Sequence, residues 1–214
     1  MGKGLEGIVA AATAISYIDG MNGRLFYRGI DINELAEHST FEETTALLWY
    51  GKLPTKGQFE SFQAKFRDNR QIPNEILALL MSLPKKTAPM EVLRTAVSAL
   101  SSYDPDDLDN TLEANVQKSI RLTASMPTIA AAWDRIRKNQ WPILPSTTLG
   151  HAANFLYMLT GKEPPEKSAK VLDTCLILHA DHGLNASTFS ARITASTLSD
   201  LHSAITSAIG TLKG

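Results

Sequence analysis

Residues 40–51 read Thr40-Phe41-Glu42-Glu43-Thr44-Thr45-Ala46-Leu47-Leu48-Trp49-Tyr50-Gly51, a helix with both of its ends written into it. The Thr40 hydroxyl can accept the backbone N–H of Glu43, and the Glu43 side chain can reach back to the N–H of residue 40. That reciprocal cap satisfies donors that the first turn of a helix otherwise leaves open. Leu47, Leu48 and Trp49 are the apolar content, and Gly51 supplies the residue that most easily takes the left-handed turn at a helix end. Thr55 and Gln58 repeat the device and start a helix with Phe59, Phe62 and Phe66 on neighbouring turns.

The same punctuation extends outward. Asp31, with Glu34 three residues on, opens a short helix through Glu37. Upstream, Ala14–Ile18 and Arg24–Arg28 flank Asp19-Gly20-Met21-Asn22-Gly23 and read as a β-hairpin. Two strands alone are marginal in water, so this hairpin is expected to lie against something larger. Downstream, Pro73 and Pro89 suit first helical turns and introduce Glu75–Ser82 and Met90–Ser101. Tyr103–Asp109 is an acidic loop. Leu112–Lys138 has helical apolar spacing with Pro127 inside, so two helices or one kinked helix are expected. Trp141–Pro145 is a non-helical connection, and Thr148–Thr160 is a helix ended by Gly161. Glu166–His179 is the most apolar helix, through Val171, Leu172, Cys175, Leu176 and Leu178. Ser187–Ser196 and Asp200–Leu212 complete an all-α fold with one small N-terminal hairpin.

Composition narrows the classes. The 214 residues are 43% hydrophobic, enough for a packed core, and carry 21 Lys plus Arg against 22 Asp plus Glu, with no concentrated basic stretch. A nucleic-acid partner is therefore not expected. The apolar run Gly7–Ile18 is broken by Thr13 and Ser16 and is too short to span a membrane. A signal-peptide reading of Ala12-Thr13-Ala14 and a myristoylation reading of Met1-Gly2 both fail on their flanks, where Glu6 stands. The single cysteine, Cys175, has no internal disulfide partner, which suits a reducing, cytoplasmic compartment.

The densest polar cluster is Leu178-His179-Ala180-Asp181-His182-Gly183-Leu184-Asn185-Ala186-Ser187-Thr188, between two helices. Periodicity leaves three readings open. In the plainest, Asn185 or Ser187 caps a helix and both histidines are satisfied polar residues. In the second, His179, Asp181 and His182 ligate a metal, with His179 and His182 as a possible ligand pair, although no third and fourth ligand stand out. In the third, the turn and the following helix N-terminus bind a small oxyanion or dicarboxylate, with His182 as a donor. Arg28, Arg94 and Arg192 could each grip a carboxylate but read more simply as surface ion pairs. His38 reads as a loop-end residue, His202 as a helix-surface residue, and His151 as a packing residue.

At this cluster the chain resembles the citrate synthases, including their 2-methylcitrate synthase relatives. The resemblance also takes in Gly4–Ala10, Tyr17–Gly20, Leu25–Ile32, Gly51–Thr55, Pro89–Ser98 and Ala152–Met158, in the family's order and across essentially the whole chain. It implies a two-domain, almost all-helical enzyme that dimerises through its large domain and condenses acetyl-CoA with oxaloacetate to citrate and CoA. CoA is then a substrate, and no metal or prosthetic group is implied. Of the family's residues, His182 matches the oxaloacetate-binding histidine, His179 the supporting histidine before it, and Asn185 a turn-orienting position. Ala88 and Gly183 depart from the common pattern, and His179 leans towards citrate rather than 2-methylcitrate formation.

The family's Pro-x-His-Gly-Gly segment, with the enol-stabilising histidine, is not within the 214 residues. The resemblance places that segment, and with it every direct catalytic residue, beyond Gly214. It therefore implies that residues 1–214 are the N-terminal part of the large domain, without the small domain or the C-terminal helices. A truncated, inactive fragment is the expectation. The alternative is a naturally short, non-catalytic paralogue that binds a dicarboxylate or a full-length synthase subunit.

Overall fold

The computed structural model describes residues 11–214, so the expectations for Gly4–Ala10 and Met1-Gly2 lie outside the described residues. Three short strands come first: β1 (Ser16–Asp19), β2 (Arg24–Tyr27) and β3 (Ile30–Asp31), antiparallel in the order β1-β2-β3. The expected hairpin is there, with Ser16 opposite Tyr27 and Asp19 opposite Arg24. The third strand is an addition. Arg28 and Gly29 both take positive φ (48° and 84°), and Tyr27 pairs with Ile30, which makes the tight two-residue turn that matches strand twist. An arginine in that conformation gives little sequence signal.

Ten α-helices follow among the described residues: α1 (Ile32–His38), α2 (Phe41–Tyr50), α3 (Lys56–Asp68), α4 (Asn74–Ser82), α5 (Pro89–Leu100), α6 (Leu112–Arg137), α7 (His151–Thr160), α8 (Glu166–Leu178), α9 (Ala186–Ser196) and α10 (Leu201–Leu212). The fold is all-α with a small N-terminal sheet. In α2 the Thr40 hydroxyl accepts the Glu43 N–H (3.2 Å), but the Glu43 carboxylate accepts the Ser39 hydroxyl instead of reaching back (2.7 Å). Gly51 closes the helix at φ 80° and Gly161 closes α7 at φ 77°.

The Leu112–Lys138 stretch is one helix of 26 residues, so the two-helix alternative falls. At 1.5 Å per residue it runs about 39 Å. Apolar packing along it compensates the hydrogen bond that Pro127 cannot donate. The first core joins α4, α5, α6 and α10 through Ile76, Leu80, Val97, Ile129, Trp133 and Ile209. The second sets α2 and α3 on α6 through Ala46, Phe62, Phe66, Ile120 and Ala124. The third packs the sheet, α1 and α2 against α8 through Tyr27, Leu35, Leu47, Leu48 and Ile177. α7 starts at His151 and not Thr148, because the Ser146 hydroxyl accepts the N–H groups of Thr148 and Leu149 (both 3.2 Å) and holds them in a turn.

Helix α8 corrects a second expectation. It is not the most apolar helix, since α4 and α7 carry a larger apolar share; only Ile177 of α8 is buried, and Val171, Cys175 and Leu178 are exposed. Its inward face is polar: Asp173 accepts the Phe41 N–H (3.2 Å), the Lys170 ammonium donates to the Ser39 carbonyl (3.2 Å), and the Thr174 hydroxyl donates to the Ala36 carbonyl (3.5 Å). α8 thus closes the α1–α2 junction by satisfying its open backbone groups. No helix among the described residues is long and apolar enough to cross a membrane.

Candidate functional site

The polar turn between α8 and α9 is built on the sheet. Tyr27 is fully buried, and its hydroxyl donates to the Asp181 carbonyl (3.0 Å) while accepting the Asp181 N–H (3.2 Å). Burial raises the Tyr27 pKa, so the phenol stays protonated and serves both roles. The Asp181 carboxylate accepts the Ser16 hydroxyl (2.5 Å) and the Gly183 N–H (2.7 Å). Gly183 sits at φ 60°, a conformation that glycine takes without steric cost. Strand β1 and strand β2 therefore both hold the turn from the far end of the sequence.

His179 ends α8. Its backbone N–H caps the last turn, and its Nδ1 donates to the Cys175 carbonyl (2.7 Å), which leaves Nε2 as the remaining ring nitrogen. His182 is exposed and has no side-chain hydrogen bond among the described residues. Asn185 is the N-cap of α9, accepting the Thr188 N–H at 2.8 Å. It does what the plainest reading assigned to it, and α9 begins one residue earlier than Ser187. The turn gathers His179, His182 and Asn185 on one braced loop. Asp181 is engaged by Ser16 and Gly183, and His179, Asp181 and His182 do not form a three-donor cluster among the described residues. Gly214 follows α10 and is exposed; its N–H donates to the Thr211 carbonyl (3.2 Å), and it takes no part in the turn. A cavity of about 400 Å³ opens beside the sheet and is lined by Ser16, Asp19, Arg24 and Arg28; it meets the turn at Ser16. A cavity of about 420 Å³ lies apart from the motif, between α2 and α3, with Tyr50, Lys52, Phe62 and Lys65 in its wall.

The arginine readings also change. Arg28 makes no surface ion pair among the described residues; its Nε and Nη2 donate to the Leu48 carbonyl (3.0 and 2.6 Å), tying the sheet to α2. Arg94 and Arg192 likewise have no carboxylate partner among the described residues, and Arg94 lies beside Gly210 of α10. His202 is not a helix-surface residue. It is buried against the 104–109 loop, because α10 turns that side of its first turn to the aspartates. Sequence reading missed a buried polar network around α7. The Glu42 carboxylate accepts the His151 N–H (2.8 Å), and Arg70, 1% exposed, donates to the carbonyls of Ser146 and Leu149 (3.0 and 2.8 Å). Burial, and secondarily Arg70, pushes the His151 ring down to about 3, so it is neutral between the Phe41 and Phe66 rings. No local signal marks Arg70 as buried.

A family model described as citrate synthase, C-terminal domain, matches residues 4–214. The chain belongs to the citrate synthase family. It is 48% identical over 216 residues to the citrate synthase of Haloferax volcanii, covering 99% of this chain and 57% of that protein. It is 43% identical over 212 residues to the 2-methylcitrate synthase of Mycobacterium tuberculosis, covering 99% of this chain and 53% of that protein. Among solved structures it superposes on the citrate synthase of Pyrobaculum aerophilum with a TM-score of 0.94 at 41% identity, over 99% of this chain and 55% of the other. The citrate synthase of Thermotoga maritima gives 0.88 at 44% identity, again over 99% and 55%. The chain spans little more than half the length of these relatives.

Proposed function

We propose that the chain is part of the large domain of a citrate synthase that condenses acetyl-CoA with oxaloacetate, and that His182 is its contribution to the oxaloacetate site. The observation that carries this is the turn 179–185. Its backbone is held rigidly from the sheet, while the His182 side chain is left exposed and unengaged among the described residues. A braced loop presenting a free imidazole, with the α9 N-terminus behind it, suits a dicarboxylate better than a metal. His179 orients the loop through its bond to Cys175, and Asn185 fixes the start of α9.

In this reading the groups that abstract the thioester methyl proton and stabilise the enol belong to sequence beyond Gly214, and the chain alone does not turn over. CoA enters as a thioester substrate, and the condensation itself calls on no resident cofactor. Two further parts of the proposal rest on the surface and the composition. Tyr17, Met21, Val171, Phe189 and Ile193 are exposed apolar side chains of the kind that a second copy would cover, which supports a homodimer in solution. The lone exposed Cys175 suits a cytoplasmic protein.

The test measures oxaloacetate binding by calorimetry for the chain and for His182→Ala, alongside loss of the acetyl-CoA thioester absorbance with oxaloacetate present. Thioester absorbance is preferable to thiol titration because exposed Cys175 would itself react. Saturable binding lost in His182→Ala, without thioester cleavage, supports the proposal; cleavage that co-purifies with the chain, or binding unchanged in His182→Ala, refutes it. Sedimentation at micromolar concentration checks the dimer, and a clean monomer would remove that part. A preference for 2-methylcitrate is the second reading, favoured by the 2-methylcitrate synthase relatives at 43% identity.

A further inference from the structure

On the side of the molecule where α10 begins, Asp107, Asp200 and His202 bring one ligand atom each to within 4.8 Å of one another. The His202 side chain is 2% exposed, and neither its Nδ1 nor Asp107 Oδ1 has a hydrogen-bond partner among the described residues. Buried polar atoms are nearly always partnered, so two facing orphans ask for an explanation.

The tautomer sharpens the question. His202 Nε2 lies 3.5 Å from Asp104 Oδ2, and Asp104 is itself held by Arg121 through two bonds of 2.8 and 2.6 Å. With Nε2–H directed at that carboxylate, the Nδ1 lone pair of a neutral ring faces Asp107 Oδ1 at 3.6 Å and Asp200 Oδ1 at 4.0 Å. A lone pair confronting two carboxylates away from water is repulsive unless a positive charge lies between them. A proton on Nδ1 fits poorly. The separations of 3.6 and 4.0 Å exceed a normal N–H···O bond, so a proton there would complete no hydrogen bond to either carboxylate.

A cation fits better. Donors sharing one ion through bonds of about 2.0–2.2 Å stand roughly 3.3–3.6 Å apart; His202 Nδ1 already stands 3.6 Å from Asp107 Oδ1 and 4.0 Å from Asp200 Oδ1, and a donor pair as far apart as 4.8 Å closes by a shift of about an ångström. The supporting bonds are already made. The Asp200 carboxylate is oriented by the N–H and hydroxyl of Ser203 (2.8 and 2.6 Å). Buried Lys118 donates its ammonium protons to the carbonyls of Asp107 and Asp109 (3.3 and 2.6 Å) and forms no ion pair with the Asp107 or Asp200 carboxylate among the described residues. Asp104 stands behind the imidazole as a carboxylate does in many metal–histidine pairs. The Asp107 and Asp200 side chains are 28% and 22% exposed, which leaves a route in from solvent.

We infer that Asp107, Asp200 and His202 bind one divalent first-row cation, Zn²⁺ by their donor set, which staples the 104–109 loop to the start of α10. One imidazole and two carboxylates leave further positions to water. The role is structural and independent of the oxaloacetate reading.

The experiment uses the 214-residue chain stripped with chelator. Titration with ZnCl₂ is expected to show one ion per chain and a Tm rise of about 5–10 °C at a hundredfold excess over Kd. Co²⁺ should give a visible absorption band that Zn²⁺ displaces. Asp107→Asn should weaken uptake at least tenfold with unchanged far-UV circular dichroism, and His202→Gln should abolish it. If His202→Gln fails to fold, Asp107→Asn carries the test, since its loop position tolerates an isosteric amide. No saturable uptake by the wild type overturns the inference. So does uptake unchanged in Asp107→Asn, which would place the ion on exposed groups such as His179 and His182.

Discussion

Replacing His151 by Phe should remove a specific part of the chain's acid sensitivity. His151 is 4% exposed, lies between two aromatic rings, and titrates at about 3 instead of its ordinary 6.5. The folded-state pKa is depressed, so the neutral ring contributes stability that is fully present above pH 6.5 and is lost as the pH falls towards 3. In acid the unfolded chain takes up a proton that the folded chain refuses. Between pH 7 and about 4.5 the unfolded histidine gains roughly two pH units of protonation free energy, while the folded one gains almost none. At 1.36 kcal/mol per unit this is about 2–3 kcal/mol. Glu42, whose pKa burial raises, works in the opposite direction, but it is present in both proteins. The assay is urea unfolding at four pH values from 7 to 4.5 for the wild type and His151→Phe. The wild type should lose about 2–3 kcal/mol more than the variant across that range. Parallel pH profiles would refute the reasoning, because they would mean that the ring is protonated in the fold or solvated.

Three further substitutions test the frame, the first of them at the candidate site. Tyr27→Phe strands the half-buried N–H and carbonyl of Asp181 and should cost about 1–2 kcal/mol in denaturant unfolding, with hydrogen exchange at residues 179–185 rising more than in α6; unchanged exchange there would show that the hydroxyl does not hold the turn. Gly161→Ala forces a left-handed alanine whose Cβ would meet Ile143 Cδ1 at 3.0 Å, and should lower stability by about 1–2 kcal/mol, whereas Gly57→Ala, in a helix with open space around it, should raise it by about 0.5–1 kcal/mol.

Local chemistry made most of the helices readable in advance. Thr40 with Gly51, Pro89, Asp200 and the Gly161 stop act through bonds spanning four or five residues, so their effect is present in any short window of sequence. The family signature was legible for the same reason: His179 to Thr188 is continuous in the chain. What the turn does mechanically was not, since Ser16 and Tyr27 hold it from strands at the far end of the sequence. The third strand was hidden by an arginine in a glycine-like conformation, and α6 by a proline that tertiary packing tolerates.

The amino-acid sequence by itself determined helix identity, most boundaries, the presence of the hairpin and the family. Each of these rests on near-neighbour hydrogen bonding or on a continuous motif. Tertiary structure alone decided which faces are inside. α8 looks like a buried helix in composition, yet it turns Lys170, Asp173 and Thr174 inward because the α1–α2 junction has open backbone groups to satisfy. His202 looks like a surface residue, yet it is sealed beneath an aspartate loop that is distant in sequence. Burial is a property of what a residue meets across space, and periodicity records only that one face differs from the other.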